Sequence, residues 1–328
     1  AGSISSLLQG LMVPLCTYII LAVSLNLVVG ILGELSLGHA GFMCVGAFTS
    51  AFFSKCTRDV IASDGLRFFL ALLIGIVTAA IFGMLIGIPV LRLKGDYLAI
   101  VTLAFGEIIK NMVNVLYIGK DSKGFHVTTK DVMALNMDAD GTVILNGPQG
   151  ITGTPKNSTF VIGFILILLT LFIVQNLINS RDGRAIMAIR DNRIAAESIG
   201  INITKYKLMA FTISAAMAGA AGVLYAHNIS TLTANTNNFG YNMSITILVF
   251  VVLGGIGNIR GSIIAAVILT LLPELLRGMK DYRMLIYAIV LIVMMLFNWS
   301  PKAIEWREKL NDWRKKHFSF GKKAKEVE

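Results

Sequence analysis

The sequence predicts an all-α membrane protein, folded as a polytopic bundle of transmembrane helices with broken or re-entrant segments. Hydrophobic residues make up 55% of the chain and charged residues 15%, with a mean hydropathy of +0.73. Soluble domains contain about 25% charged residues, so this balance is typical of the membrane class. Several apolar runs also reach the roughly 20 residues that a helix needs to cross a bilayer. The net charge of +10 lies in loops and the tail, so it gives no argument for nucleic-acid binding.

The first predicted span, residues 11–32, ends in a segment rich in glycine. Gly30, Gly33 and Gly38 follow one another closely, and each glycine inside a helix costs about 1 kcal/mol relative to alanine. We therefore expect a broken or re-entrant helix here. Asn26, just before the break, is a candidate for lining a polar pathway. A second glycine-rich break is predicted at Gly254, Gly255, Gly257 and Gly261.

The other predicted membrane segments follow in order, so that residues 1–299 form one membrane domain. Small residues dominate the span at residues 206–226, which allows helices to pack closely in lipid. About nine crossings are expected in total, with the N-terminus outside. The segments after the first span are a short apolar stretch at residues 42–53 and spans at residues 68–91, 95–118, 160–178, 206–226, 242–253, 262–276 and 284–299.

The span at residues 95–118 carries polar groups on one face. Glu107, Lys110, Asn111 and Asn114 recur at helical spacing, and Glu107 and Lys110 are close enough to pair. Ionisable groups at membrane depth are expensive and normally face a bundle interior or a water-filled path. Two interpretations carry equal weight: a structural ion pair near the outer interface, or a lining of the pathway.

The basic residues predict the orientation, because cytoplasmic loops are enriched in lysine and arginine. The turn at residues 92–94, the loop at residues 181–207 and the C-terminal tail are basic, which places the C-terminus in the cytoplasm. The loop at residues 119–158 then lies outside. One basic cluster would lie outside against this rule, at Arg277, Lys280 and Arg283.

Two segments outside the spans have features of their own. The external loop at residues 119–158 is longer than ordinary connections, and such loops are usually functional or disordered. Its apolar residues and turn formers indicate some folded structure. Residues 300–328 are predicted to be a basic, cytoplasmic, amphipathic tail, with its apolar side chains at helical spacing. Those side chains are Trp306, Leu310 and Trp313.

The loop at residues 180–204 combines four arginines with apolar residues and good helix formers. Asp182 or Asn192 is a candidate N-cap, and Gly183 or Gly200 a candidate helix end. Such a loop is typical of a segment that lies in the membrane interface or docks onto another protein. The enrichment of basic residues in cytoplasmic loops would also explain its charge by itself.

Catalytic and cofactor-binding patterns are missing from the sequence. No stretch matches the phosphate-binding pattern GxxxxGK[ST], and the glycines at residues 255–261 have the wrong spacing for a dinucleotide fingerprint. No nucleophile with a base is recognisable, and the histidines lack metal-ligand spacing. We therefore predict no enzyme activity and no cofactor or metal bound by this chain. The histidines are His39, His126, His227 and His317.

Several motifs, in order along residues 11–299, resemble LivM-type permeases, the membrane subunits of bacterial branched-chain amino acid ABC importers. Members of that family usually carry one more hydrophobic segment at the N-terminus, which would give about ten spans. The motifs are SLNLVVG at residues 24–30, LSLGHAGF at 35–42, LRLKGDYLAIVTLAFGE at 91–107, GRAIMAIRDNRIAAESIGI at 183–201, KLMAFTISAAMAG at 207–219 and GGIGNIRG at 254–261.

The resemblance implies a complex in the bacterial inner membrane. A LivH-like second permease would pair with this chain, two cytoplasmic ATPases would supply ATP and Mg²⁺, and an extracytoplasmic binding protein would deliver substrate, with the loop at residues 119–158 as its dock. Each permease would form half of an alternating-access pathway for branched-chain or related amino acids, in contact with membrane lipid. Residues 180–204 become the ATPase-coupling helix region, with contacts at Ile186, Ile189, Arg190, Asp191, Ala195, Ala196, Glu197, Ile199 and Gly200.

A secondary transporter of a small polar solute, driven by an ion gradient, is the alternative. Broken helices and a charge pair at membrane depth suit that class as well. An integral membrane enzyme is a third possibility, which the missing catalytic constellation disfavours.

Overall fold

The structure, a computed structural model, describes residues 6–58, 60–93, 95–138, 141–276 and 282–299. The predicted tail at residues 300–328, together with Arg277 and Lys280, lies outside these residues. The helices described are α1 (Ser6–Asn26), α2 (His39–Cys56), α3 (Asp64–Val90), α4 (Asp96–Val115), α5 (Phe160–Asn179), α6 (Arg181–Asp191), α7 (Arg193–Ser198), α8 (Ile203–Ala226), α9 (Thr236–Phe239), α10 (Tyr241–Gly254), α11 (Ile259–Leu275) and α12 (Arg283–Trp299).

The chain divides into two compact units, Ala1–Thr270 and Leu271–Glu328. The first contains α1 to α10 and most of α11, and the second contains α12. All contacts described below lie within the first unit.

A polytopic helical bundle is confirmed, whereas the number of about nine spans is not. Among the described residues, six helical segments are long and apolar enough to cross a membrane. Helices α2, α11 and α12, with 18, 17 and 17 residues, are outside this set. The six segments are Gly10–Leu32, Asp64–Val90, Asp96–Val115, Phe160–Asn179, Ile203–Ala226 and Thr236–Gly254.

The centre of the first unit consists of α1, α2 and α8, while α3, α4 and α5 expose apolar faces. The close packing predicted for α8 is confirmed by its glycines. A Cβ atom on Gly46 of α2 would lie 2.5 Å from Gly219 Cα, and one on Gly222 would lie 2.9 Å from Ala47 N. Because real Cβ atoms do not approach other atoms so closely, only residues without a side chain let these two helices meet.

The loop at residues 119–158 and the chain next to it contain strands that the all-α prediction missed. Strands β1 (Tyr117–Asp121), β2 (Gly124–Thr128) and β3 (Thr142–Asn146) form an antiparallel sheet in the order β2-β1-β3, and β4 (Ile151–Thr152) pairs with β5 (Thr231–Leu232). Short strands of this kind depend on pairing with distant residues, and so their apolar pattern is weak.

Hydrogen bonds and ion pairs join the loops that lie at each end of α8. At one end Ser158 Oγ donates to Leu224 O at 2.8 Å, and Lys55 Nζ donates to Val143 O at 2.9 Å. At the other end Lys207 pairs with Glu34. We call the end with Lys207 the inner end and the end with Leu224 the outer end, after the predicted orientation.

Candidate functional site

The loop at residues 180–204, here called the coupling segment, folds as two short helices with capped ends. Ser180 Oγ accepts the Gly183 N–H at 3.0 Å and caps α6, in place of the predicted Asp182. The Asn192 side chain accepts the Ala195 N–H at 3.1 Å and caps α7, as predicted. Gly200 follows α7 with a φ of +85°, a conformation that favours glycine.

One face of the coupling segment is buried against the chain. Ile186 and Ile189 of α6 and Ala196 of α7 are buried, and Ile189 and Ala196 form an apolar cluster with Ile203 of α8. These three predicted coupling residues therefore hold the segment in place. Their predicted contact with an ATPase stays a prediction, which this inward orientation does not favour.

The opposite face of the coupling segment presents apolar side chains to its surroundings. Ile194 is 80% exposed and Ile199 is 75% exposed. Ile199 was a predicted coupling residue, whereas Ile194 was missed although it lies in the same motif. The other predicted coupling residues on the exposed side are Asp191, Ala195, Glu197 and Gly200.

The first glycine-rich break is confirmed at the inner end of α1. Helix α1 continues as a π-helical segment, Leu27–Leu32, and ends at Gly33, which has a φ of +78°. Helix α2 begins only at His39. A Cβ atom on Gly38 would lie 2.8 Å from Thr102 C of α4, so the unwound stretch at residues 33–38 passes directly against that helix.

Two basic residues bind this break, Arg190 from the coupling segment and Lys207 from α8. Arg190 Nη1 donates to Gly30 O at 3.0 Å, and Arg190 also contacts the carboxylate of Asp191 at 2.9 Å. Lys207, in the first turns of α8, forms an ion pair with Glu34, and both side chains are largely buried (4% and 14% exposed). The predicted coupling residue Arg190 thus contacts the main chain of α1.

The second break, between α10 and α11, lies directly against the first. Asn26 Nδ2 donates to Ser262 Oγ at 2.8 Å, and Asn26 Oδ1 accepts the Gly257 N–H at 2.9 Å. A Cβ atom on Gly30 would lie 2.6 Å from Gly257 Cα. Asn26 is fully buried, and in this arrangement it connects the two breaks.

The turn between α10 and α11 needs its glycines for close approach and for backbone conformation. Gly255 and Gly257 have φ values of +93° and +81°. A Cβ atom on Gly254 would lie 2.5 Å from Gly261 C. The predicted break glycines therefore all lie within one of the two breaks or where the helix ends beside the breaks pack against each other.

The polar face of α4 holds the segment that contains α9, at the outer end. Lys110 Nζ contacts Glu107 Oε2 at 2.5 Å and donates to Thr236 Oγ1 at 3.2 Å. Glu107 Oε1 accepts the Tyr241 N–H at 2.8 Å. Asn114 Nδ2 donates to Ala234 O at 3.0 Å, while Asn111 is exposed. The structural interpretation of this face accounts for these contacts, and a pathway role stays a prediction.

Replacement of Glu107 by glutamine should therefore lower the stability of the folded chain. Lys110 is 7% exposed, and removing one partner of a buried pair leaves an uncompensated charge, with a loss of about 3 kcal/mol. Thermal unfolding of the purified chain in detergent would measure this. The double variant Glu107→Gln/Lys110→Met should lose less than the single variant, and Asn111→Ala should lose little. An unchanged unfolding temperature in Glu107→Gln would contradict the structural role.

The three-stranded sheet of β1, β2 and β3, here called the outer sheet, has the carboxylate of Asp121 as a shared hydrogen-bond acceptor. This carboxylate accepts the N–H groups of Lys123 at 2.8 Å and Gly124 at 3.0 Å, and it lies 3.0 Å from His126 Nε2. Burial alone would raise the pKa of Asp121, but hydrogen bonds from the Lys123 and Asp138 backbone and from His126 outweigh burial and lower the pKa below its ordinary value.

The outer sheet should consequently loosen in acid. Because the pKa of Asp121 is lowered in the folded state, its contribution is present above the ordinary pKa of about 4 and is lost as the pH falls through the lowered value. Limited proteolysis of the purified chain should cut residues 117–146 faster at low pH. Asp121→Asn should be cut faster already at pH 7, whereas Asp131→Asn, with the same change of charge, should match the unmodified chain. Equal cutting of both variants would refute this role.

A bundle of apolar helices, with helix breaks that meet at one end beside an anchored basic segment, is the architecture of a multi-pass membrane protein. The chain belongs to the family of the branched-chain amino acid transport system, permease component, whose sequence profile matches residues 7–297. Together with the LivM relatives given next, this match confirms the resemblance to LivM-type permeases.

Individual relatives agree with the family. The chain is 37% identical over 322 residues to the high-affinity branched-chain amino acid transport system permease protein LivM of Salmonella typhimurium, and 34% identical over 321 residues to LivM of Escherichia coli; each match covers 88% of this chain and 67% of the relative. It is 25% identical over 258 residues to the permease LivH of Escherichia coli, covering 77% of this chain and 79% of LivH. No solved structure matches the chain.

Proposed function

We propose that this chain forms half of the translocation pathway of an ABC importer for branched-chain or related amino acids. The observation that carries the proposal is the coupling segment, which is anchored to the helix breaks on one face and presents Ile194 and Ile199 on the other. Exposed apolar side chains on an anchored cytoplasmic segment are suited to a protein partner. The names of the LivM and LivH relatives support the substrate class.

The partners that complete this function are two cytoplasmic ATPases beneath the coupling segment, a LivH-like second permease and an extracytoplasmic binding protein. ATP and Mg²⁺ are held by the ATPases, whose closure moves the coupling segment and alternates access to the pathway. The apolar faces of α3, α4 and α5 contact lipid and the second permease. The outer sheet is the dock for the binding protein.

The proposed topology has about nine crossings in this chain, with the C-terminus in the cytoplasm of a bacterial cell. The contacts between loops at each end of α8 support this topology, because loops that are predicted to lie on the same side of the membrane contact one another. The division into a permease domain at residues 1–299 and a tail at residues 300–328 remains a prediction.

Reconstitution into proteoliposomes tests the proposal. The chain would be purified with the ATPases that remain bound to it, together with the second permease, and uptake of radiolabelled leucine would be measured with the binding protein outside. Uptake should require ATP inside the vesicles and should persist after ion gradients are dissipated. Uptake by this chain alone, driven by a proton or sodium gradient and insensitive to ATP, would instead identify a secondary transporter.

A further inference from the structure

The broken end of α1 is fastened at two points, to the coupling segment before α7 and to the start of α8 after it. One point is the Arg190 contact with Gly30 O and the other is the Lys207–Glu34 ion pair. We infer that these contacts form a clamp, which makes the broken end of α1 move with the coupling segment and passes that movement to the second break. The inference rests on the proposed function, because the ATPases supply the movement.

The Arg190 contact uses a carbonyl that the helix end leaves free. The last carbonyl groups of a helix have no partner within the helix, and an arginine can donate to them as a charged group. Gly33 lets α6 and the end of α1 come close enough for this hydrogen bond, since a Cβ atom on Gly33 would lie 2.6 Å from Arg190 Cγ. The arginine stem therefore lies against the bare backbone of Gly33, and α6 cannot slide past the break without losing this fit.

The ion pair resists separation for a different reason. Lys207 and Glu34 are 4% and 14% exposed, so pulling them apart would leave two charges without partners in a place that water hardly reaches. Breaking such a pair is strongly unfavourable, whereas moving both elements together leaves it intact. Because Lys207 lies at the start of α8, the clamp includes that helix.

The contact between the two breaks extends the clamp to α10 and α11. Asn26 bonds both Gly257 N and Ser262 Oγ, and Gly30 approaches Gly257 at backbone distance. A displacement of the end of α1 must therefore also move the turn at residues 255–258. Arg190 of the coupling segment, Lys207 of α8 and Asn26 of α1 thus act as positioning residues for the inner ends of four helices.

Transport assays on the assembled complex provide the first test. Arg190→Ala should lower amino acid uptake per ATP hydrolysed by about tenfold, a typical size for coupling between sites, when measured on complexes with equal amounts of bound ATPase. Arg181→Ala, which removes the same charge from the same helix, should behave as the unmodified chain. Lys207→Glu and Glu34→Lys should each lose uptake, and the double variant with the pair reversed should recover it. Normal uptake per ATP in Arg190→Ala would overturn the clamp.

A distance measurement on the chain alone separates the clamp from the proposed function. Spin labels at Glu197→Cys and Leu35→Cys, in a background with Cys56→Ser, would report the separation of the coupling segment and the break. The distance distribution should be narrow and should broaden in Arg190→Ala/Lys207→Ala, but not in Arg181→Ala. An unchanged narrow distribution in the double variant would overturn the clamp even if ATPases bind. Absence of bound ATPase from the unmodified chain would overturn the proposed function and, with it, the transmitted movement.

Discussion

Replacing Ile194 and Ile199 with glutamate is expected to release the partner ATPases from the permease while leaving the permease folded. The two side chains are 80% and 75% exposed, so their replacement removes little packing within the chain. Burying an isoleucine at an interface contributes about 1.5–3 kcal/mol, and each glutamate adds the cost of desolvating a charge. Loss of both side chains should weaken binding by more than about 100-fold, since 1.4 kcal/mol corresponds to tenfold.

Co-purification of the ATPases with the tagged permease, followed by a binding titration, would measure this effect. Val60→Glu/Met133→Glu is the matched control, because those side chains are 79% and 89% exposed at the outer end and should leave the ATPase bound. Ala196→Glu should fail differently, by unfolding the coupling segment, since Ala196 is buried in the cluster with Ile189 and Ile203. Undiminished ATPase binding by Ile194→Glu/Ile199→Glu would show that the docking surface lies elsewhere.

Replacing Gly30 with alanine is expected to prevent the two helix breaks from packing and to cause the largest loss of stability of any single methyl group added to α1 or its π-helical end. The new Cβ atom would overlap Asn26 Oδ1 and the backbone N of Gly257, and would lie 2.6 Å from Gly257 Cα. Overpacking costs about 1–3 kcal/mol where side chains can move aside. A neighbouring backbone cannot do so, and we expect a loss at or beyond the upper end of that range.

The yield of monodisperse protein in detergent and its unfolding temperature would test the Gly30 substitution. Gly10→Ala is a control in the same helix, because a Cβ atom on Gly10 meets nothing within 4 Å; it should be neutral or slightly stabilising. The partner variant Asn26→Ala should lose stability too, since it breaks both bonds between the breaks. If Gly30→Ala matched Gly10→Ala in yield and unfolding temperature, the close contact of the breaks would be refuted.

Features that depend on neighbouring residues could be read from the sequence. Apolar runs predict membrane helices, and the clustered glycines predict both breaks, because the loss of helix stability is local. The Glu107–Lys110 pair follows from helical spacing, and the Asn192 cap follows from its position before a helix former. Their partners could not be predicted: the α9 segment, which the ion pair holds, lies more than a hundred residues away in the chain.

The coupling segment shows the same difference between local features, which the sequence predicts, and long-range contacts, which it does not. Its helical tendency, basic charge and apolar residues were evident from residues 180–204, yet the apolar residues lie on two faces and helical spacing cannot say which face meets the chain. Packing against Ile203 decides this, by burying Ile189 and Ala196 and leaving Ile194 and Ile199 exposed. The exposure of Ile194 and Ile199, on which their proposed role rests, therefore depends on a contact with α8.

By itself the sequence determined the class, the family and the places where helices break, since these follow from hydrophobicity, glycine content and motifs along the chain. Only the tertiary structure decided that the two breaks touch, with Gly30 against Gly257, and that Arg190 and Lys207 bind the first of them. Those contacts join residues far apart in the chain, so helix propensity and hydrophobic pattern, which depend on neighbouring residues, do not predict them. They arise because carbonyl groups and charges withdrawn from water must find partners wherever the packed helices bring them.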